Sequence, residues 1–114
     1  MHNYSIIIPI HNEAQTLHTL LNELNRFYLE GHQIIIIDDG STDGSKNILK
    51  NSEIIDLITI KDNKGKGHAI KTGLEKVKNP KIVIIDGDLE LSPKELIRLM
   101  ILDKEKGINT VIGY

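Results

Sequence analysis

Three short segments carry side chains whose types and spacing suit chemistry. The first is Asp86-Gly-Asp88, with Glu90 two residues further on. Two carboxylates one residue apart can share a hard divalent cation, and Glu90 can add a third oxygen. Magnesium and manganese take oxygen ligands and keep substrate phosphates in their shell. Gly87 lets the backbone bend there at no steric cost. The same residues also spell a polar turn leaving a strand. The second segment is Asp38-Asp-Gly-Ser-Thr-Asp-Gly44. A carboxylate here can accept from the imide N–H of a uracil, or from the N1–H and amino group of a guanine. Asp38, Asp39, Gly40 and Ser41 are the candidate residues, with Ser41 and Thr42 as small donors. A strand end, a turn and a helix cap would use the same residues.

The third segment is Asn63-Lys-Gly-Lys-Gly-His-Ala-Ile-Lys-Thr-Gly73. Glycines ahead of a helix expose backbone N–H groups that suit phosphate. Lys64, Lys66 and Lys71 add positive charge. A phosphate-binding Walker A loop needs glycine directly before its Lys-Thr pair, and Ile70 stands there instead. A solvated, lysine-rich helix start fits equally well. His11 follows an apolar run and is placed to reach a site, whereas His2, His18, His32 and His68 read as surface residues. No pair of histidines has metal-ligand spacing, and no G-x-S-x-G nucleophile motif occurs.

These segments need elements to position them. Apolar, isoleucine-rich runs at Ser5–Pro9, Gln33–Ile37, Ile54–Ile60 and Lys81–Ile85 read as strands buried on both faces, as in a parallel sheet covered by helices. Between Glu13 and Leu29, apolar residues at 17, 20, 21, 24 and 27 form one helical stripe, which Gly31 ends. Ser45–Lys50 is a short helix with Asp43 or Ser45 as cap. Lys66–Val77 is a third helix, stopped by Asn79-Pro80. Ser92-Pro93 with Glu95 opens a fourth, which Gly107 ends. Ile108–Ile112 is a fifth strand. The expected fold is therefore α/β: a doubly wound, mainly parallel sheet with helices on both faces, in one domain spanning 1–114. All the chemistry-bearing segments except the lysine-rich one follow directly on predicted strands. Ligands bind at the carboxyl ends of strands in such sheets.

Composition removes several function classes. The net charge is −2, so the basic excess of a nucleic-acid binder is missing. There are no cysteines, hence no disulfide and no thiolate metal site. The purest apolar run, Ile34–Ile37, is far short of a membrane span, and no signal-peptide pattern opens the chain. The expected location is the cytoplasm. A phosphoacceptor receiver domain has a similar length and element order. It would carry its acidic pair after the first strand, whereas here the pair follows the second.

The segments together resemble family-2 glycosyltransferases. Ser5-Ile-Ile-Ile-Pro-Ile-His-Asn-Glu-Ala14 is similar to the family's opening strand, proline and N-E motif. Ile34-Ile-Ile-Ile-Asp-Asp-Gly-Ser-Thr-Asp-Gly-Ser45 is similar to its D-D-G-S-T-D segment. Asn63-Lys-Gly-Lys-Gly67 resembles the N-x-G-K-G segment of the dolichol-phosphate mannosyltransferase-like branch, and Ile84-Ile-Asp-Gly-Asp-Leu-Glu90 resembles that branch's D-A-D-L-Q metal motif. The four occur in the family's order and cover essentially the whole chain.

The resemblance implies the nucleotide-binding half of a GT-A, Rossmann-like fold and an inverting, metal-dependent glycosyl transfer. Carried over by position, Pro9 and Glu13 line the nucleotide pocket. Asp39 contacts the base with Asp38 beside it, and Lys66 lies near the base or diphosphate. Asp86 and Asp88 hold magnesium or manganese against the ribose and diphosphate, and Glu90 stands where the branch carries glutamine. The implied partner is a UDP- or GDP-linked sugar. A polyprenyl phosphate acceptor would bring the protein to the cytoplasmic membrane face. Family members continue well past Ile108-Asn-Thr-Val-Ile-Gly-Tyr114, so the acceptor site and catalytic base are expected outside this chain. A binding-only, nucleotide-diphosphate-holding fragment is the alternative. Unpaired sheet surface would favour a homodimer.

Overall fold

The computed structural model describes residues 3–85 and 110–112. Five parallel strands form one sheet in the order β3-β2-β1-β4-β5. They are β1 (Tyr4–Ile10), β2 (Gln33–Asp39), β3 (Asp56–Ile60), β4 (Lys81–Ile84) and β5 (Thr110–Ile112). The helices are α1 (Ala14–Leu29), α2 (Ser45–Lys50) and α3 (Lys66–Leu74). The helix expected after Ser92-Pro93 lies outside the described residues. No helix among the described residues is long and apolar enough to cross a membrane.

Strand order dictates which face each helix covers. From β1 to β2 to β3 the chain steps outward in one direction, so right-handed crossovers place α1 and α2 on the same face. From β3 it returns past β1 to β4, and the same handedness puts α3 on the other face. Two cores result. Ile6, Ile8 and Ile10 of β1 and Ile34 and Ile36 of β2 pack with Leu17, Leu24 and Phe27 of α1 and Leu49 of α2. Ile7, Ile35 and Ile37 pack with Ala69 of α3. Each such isoleucine contributes roughly 1.5–3 kcal/mol by leaving water. Gly73 brings α3 close: a Cβ there would lie 2.7 Å from Ile37 Cδ1.

The expectation of strands buried on both faces holds for β1 and β2 and fails for β3. As an edge strand, β3 exposes Asp56 and Thr59, and it begins at Asp56 rather than Ile54. Helix α3 ends at Leu74, three residues short of Val77. The turn that follows is held by Gln33, whose Oε1 accepts from Lys78 N at 2.9 Å and whose Nε2 donates to Lys76 O at 2.9 Å.

At the carboxyl end of the sheet, the loop after β1 is stitched to the loop after β2. Asn12 N–H donates to Ser41 Oγ at 2.9 Å, and Thr42 N–H donates to Asn12 Oδ1 at 2.8 Å. Glu13 N–H donates to Ser45 Oγ at 3.0 Å, and Ala14 N–H to Asp43 Oδ2 at 3.0 Å. Asn12 takes a left-handed backbone, with φ of 53°, to make this junction. Asp43 thereby caps two helices. It satisfies the first amide of α1 from outside the helix, and its Oδ1 accepts from Ser45 N and Oγ at the start of α2. Hydrogen bonding by the Ser45 hydroxyl, aided by the Ala14 amide, holds the Asp43 carboxyl below its usual value of 3.8. That contribution is present above pH 3.8 and is lost as acid titrates the group.

His32 corrects the surface assignment made from sequence. Its side chain is only 10% exposed, edge-on to the Tyr4 ring with centroids 5.6 Å apart. Its Nδ1 accepts from Tyr4 N–H at 3.0 Å, so the neutral ring carries its proton on Nε2. Burial lowers its pKa from 6.5, opposed by Glu30. The unfolded chain therefore binds this proton first, and stability falls as pH drops through 6.5 towards the folded pKa. Three outcomes are expected from denaturant unfolding. Replacing His32→Gln, which keeps an acceptor for Tyr4 N–H, will flatten the loss of stability between about pH 7.5 and 5. Gly40→Ala will cost about 2 kcal/mol or more and Gly44→Ala about 1 kcal/mol. Both glycines have positive φ, but a Cβ on Gly40 would sit 2.5 Å from the Asn63 backbone nitrogen, whereas Gly44 faces open space.

Candidate functional site

A cavity of about 300 Å³ opens where β1 and β2 end. Pro9, Ile10, His11 and Glu13 form one wall, and Asp39, Asn63, Gly65 and Lys66 form the other. Four residues assigned from sequence to a nucleotide pocket, namely Pro9, Glu13, Asp39 and Lys66, thus meet in one place. Its size is at the lower end of the range for small-molecule sites.

Asp39 organises the cavity. Its side chain points to the α3 face because Ile35, Ile37 and Asp39 alternate to that side of β2. The residue is 4% exposed, and both carboxylate oxygens are held by the loop ahead of α3. Lys64 N–H donates to Oδ1 at 2.9 Å and Gly65 N–H to Oδ2 at 2.9 Å. A buried carboxylate is costly unless hydrogen-bonded, and a helix N-terminus is a favourable place for negative charge. From sequence, the amides of the glycine-lysine loop suited phosphate and solvent equally well. Two of them instead bind this carboxylate. Gly65 holds φ at 97°, and its N–H is shared with Asn63 Oδ1 at 3.0 Å.

His11 is fixed at the cavity wall. A carbonyl oxygen only accepts, so Nδ1 donates to Asp39 O at 2.7 Å. Nε2 is then the acceptor of the neutral ring and receives Asn12 Nδ2–H at 3.2 Å.

Asp38 does not stand beside Asp39. Successive strand residues point to opposite faces, and Asp38 turns towards α2. It lines a separate recess of about 190 Å³ with Gly40, Ser41, Lys46, Thr59 and Lys61. Asp38 Oδ1 accepts from Ser41 N–H at 3.1 Å. Gly40 and Ser41 also serve structure directly, Gly40 through its approach to Asn63 and Ser41 through its bond to Asn12. The metal candidates Asp86, Asp88 and Glu90 lie outside the described residues. Among the described residues, no group of three or more acidic or histidine side chains is arranged to hold a metal ion. Asn63 and Gly65 were not singled out as site residues from sequence. Their signal was an Asn two positions before a Gly at a helix start, a pattern that favours a side chain-to-backbone turn.

The strand order is that of dinucleotide-binding sheets and differs from the 2-1-3-4-5 order of receiver-type folds. Comparison with known proteins agrees. The chain is 31% identical to an undecaprenyl-phosphate 4-deoxy-4-formamido-L-arabinose transferase of Pseudomonas fluorescens, over 97% of this chain and 35% of the relative. It is 33% identical to an uncharacterized glycosyltransferase, YkcC, of Bacillus subtilis, over 95% of this chain and 35% of the relative. The chain therefore spans about a third of the length of the curated relatives it matches.

Among solved structures, the fold is shared with residues 1–349 of Staphylococcus aureus TarS in complex with UDP. The TM-score is 0.73 at 21% identity, covering 90% of this chain and 32% of that one. It is also shared with a mannosyltransferase of Pyrobaculum calidifontis in complex with GDP-mannose and Mn2+. There the TM-score is 0.68 at 23% identity, covering 75% of this chain and 27% of that one. Residues 5–113 match the sequence pattern described as "Glycosyl transferase family 2", and the chain belongs to that family, with the GT-A fold expected of it.

Proposed function

We propose that the chain is the donor-binding part of an inverting, metal-dependent glycosyltransferase and holds a nucleotide-diphosphate sugar in the cavity at the ends of β1 and β2. The observation that carries this function is the convergence of Pro9, Glu13, Asp39 and Lys66 on one cavity at the carboxyl edge of the sheet. These residues come from the ends of two strands and the start of α3. That is the location where such sheets bind nucleotides.

The residues lining the cavity offer distinct chemical groups to such a ligand. Asp39 is a fixed acceptor for a base N–H. Lys66, the first residue of α3, supplies positive charge where a diphosphate leaves the base pocket. Pro9 and Ile10 give an apolar wall for the base or ribose. His11, with both ring nitrogens engaged, is a rigid part of the same wall. Asp86, Asp88 and Glu90 offer hard oxygen donors, the chemistry that suits magnesium or manganese. A cation bound there would neutralise charge on the leaving diphosphate.

The acceptor is assigned by analogy. The Pseudomonas relative is named for transfer to undecaprenyl phosphate. A polyprenyl phosphate acceptor would bring this protein to the cytoplasmic face of a membrane. No described residue is assigned as the base that deprotonates the acceptor.

Calorimetric titration of UDP and GDP tests donor binding. With manganese or magnesium, one or both nucleotides will bind. Chelation or Asp88→Ala will weaken that binding by more than about tenfold, or ~1.4 kcal/mol. Equal binding with and without metal would remove the cation from the donor site. A folded chain that binds neither nucleotide would remove the function.

A further inference from the structure

We propose that His11 is a positioning residue of the donor cavity: its imidazole carries a one-way relay of hydrogen bonds that clamps the loop after β2 and ties the two cavity walls together. The role rests on the donor-binding function proposed above.

Three observations carry it. First, the ring takes over where strand pairing stops. The β1–β2 register ends at the pair Ile10 and Asp38. His11 and Asp39 come next, and a side chain joins them: His11 Nδ1–H donates to Asp39 O at 2.7 Å. Asn12 then turns the chain away with its left-handed backbone. The imidazole is thus an extra rung, and it links a residue of one cavity wall to a residue of the other.

Second, the rung continues as a relay. Asn12 Nδ2–H donates to His11 Nε2 at 3.2 Å, and Thr42 N–H donates to Asn12 Oδ1 at 2.8 Å. The relay starts on the backbone of Thr42 and ends on the backbone of Asp39, so it grips the loop after β2 on both sides of Gly40 and Ser41. That loop is the one whose Gly40 receives the Asn63 backbone, and Asn63 belongs to the far wall of the cavity.

Third, the relay has a single polarity. A backbone carbonyl only accepts and a backbone amide only donates. Thr42 N–H makes Asn12 Oδ1 an acceptor, so the Asn12 NH2 faces His11. Nε2 is then bare, and the ring proton sits on Nδ1, where Asp39 O receives it. Both ends demand the same tautomer, and linked bonds of one polarity reinforce one another. Both ring nitrogens are engaged within the protein, so the ring acts by holding the walls. A cavity assembled in advance loses less binding free energy to ordering.

The test pairs two substitutions with opposite expectations. His11→Asn sets a carboxamide N–H near the place of Nδ1–H and keeps a donor for Asp39 O. His11→Phe keeps an aromatic ring and removes the donor. UDP and GDP are titrated into each protein under saturating magnesium. For whichever nucleotide the wild type binds, His11→Phe is expected to weaken binding about tenfold and His11→Asn about threefold or less. A ring that served as a stacking surface would give the reverse order, and that result would overturn the positioning role. Equal weakening by both substitutions, or by neither, would overturn it as well. Imidazole 1H–15N NMR of the ligand-free wild type reads the relay without any variant. A protonated Nδ1 and a bare Nε2 on His11 support it, and an Nε2–H tautomer sinks it. His32, whose Nδ1 accepts from Tyr4 N–H, supplies the opposite pattern in the same spectrum. A wild type that binds neither nucleotide would remove donor binding and this role together, even with the tautomer as expected.

Discussion

The buried carboxylate of Asp39, clasped by two consecutive amides, is the contact on which the site depends. It resolves two separate difficulties of the fold. A carboxylate at the end of a central strand would be costly without donors. The amides ahead of a helix have no partner within the helix. Pairing them joins the end of β2 to the start of α3 across the top of the sheet. That join sets the height of the loop at residues 62–65 above the strands. Asn63 and Lys66 face the same cavity as Pro9 and Glu13 as a consequence. Gly40 completes the arrangement by leaving room for the Asn63 backbone.

Much of the architecture was legible in the sequence because it rests on local pattern. The isoleucine runs of β1 and β2 are buried as their composition implies, and the stripe from Leu17 to Phe27 lies against the sheet. The β3 segment was overread. Asp56 and Thr59 already broke its apolar run, and they mark the edge of the sheet. The end of α3 was placed too late because Val77 keeps helical spacing. Gln33, from another element, captures that turn instead.

The site was legible in part, for equally specific reasons. Asp38 and Asp39 were treated as one acidic cluster, although the two-residue period of a strand sends neighbours to opposite faces. That period was available in the sequence and separates the cavity at Asp39 from the recess at Asp38. The bonds from Asn12, Glu13 and Ala14 to Ser41, Ser45 and Asp43 have no local signature, since they link residues about thirty positions apart. His32 was misplaced for the same reason: only the tertiary fold brings it against Tyr4.

The stitched junction also bears on how damage to this protein would present itself. Ser41, Asp43 and Ser45 act on the cavity through the backbone of residues 12–14, as tension members rather than as contacts. Changes at these three positions would slacken the wall formed by His11 and Glu13 and so imitate a ligand defect. Such defects should be curable from a distance, by lower temperature or by compensating substitutions elsewhere in the core. A defect at Asp39 should resist both remedies. Suppressor genetics would therefore divide the acidic and hydroxyl-bearing segment after β2 into scaffold and site, a division that its composition conceals.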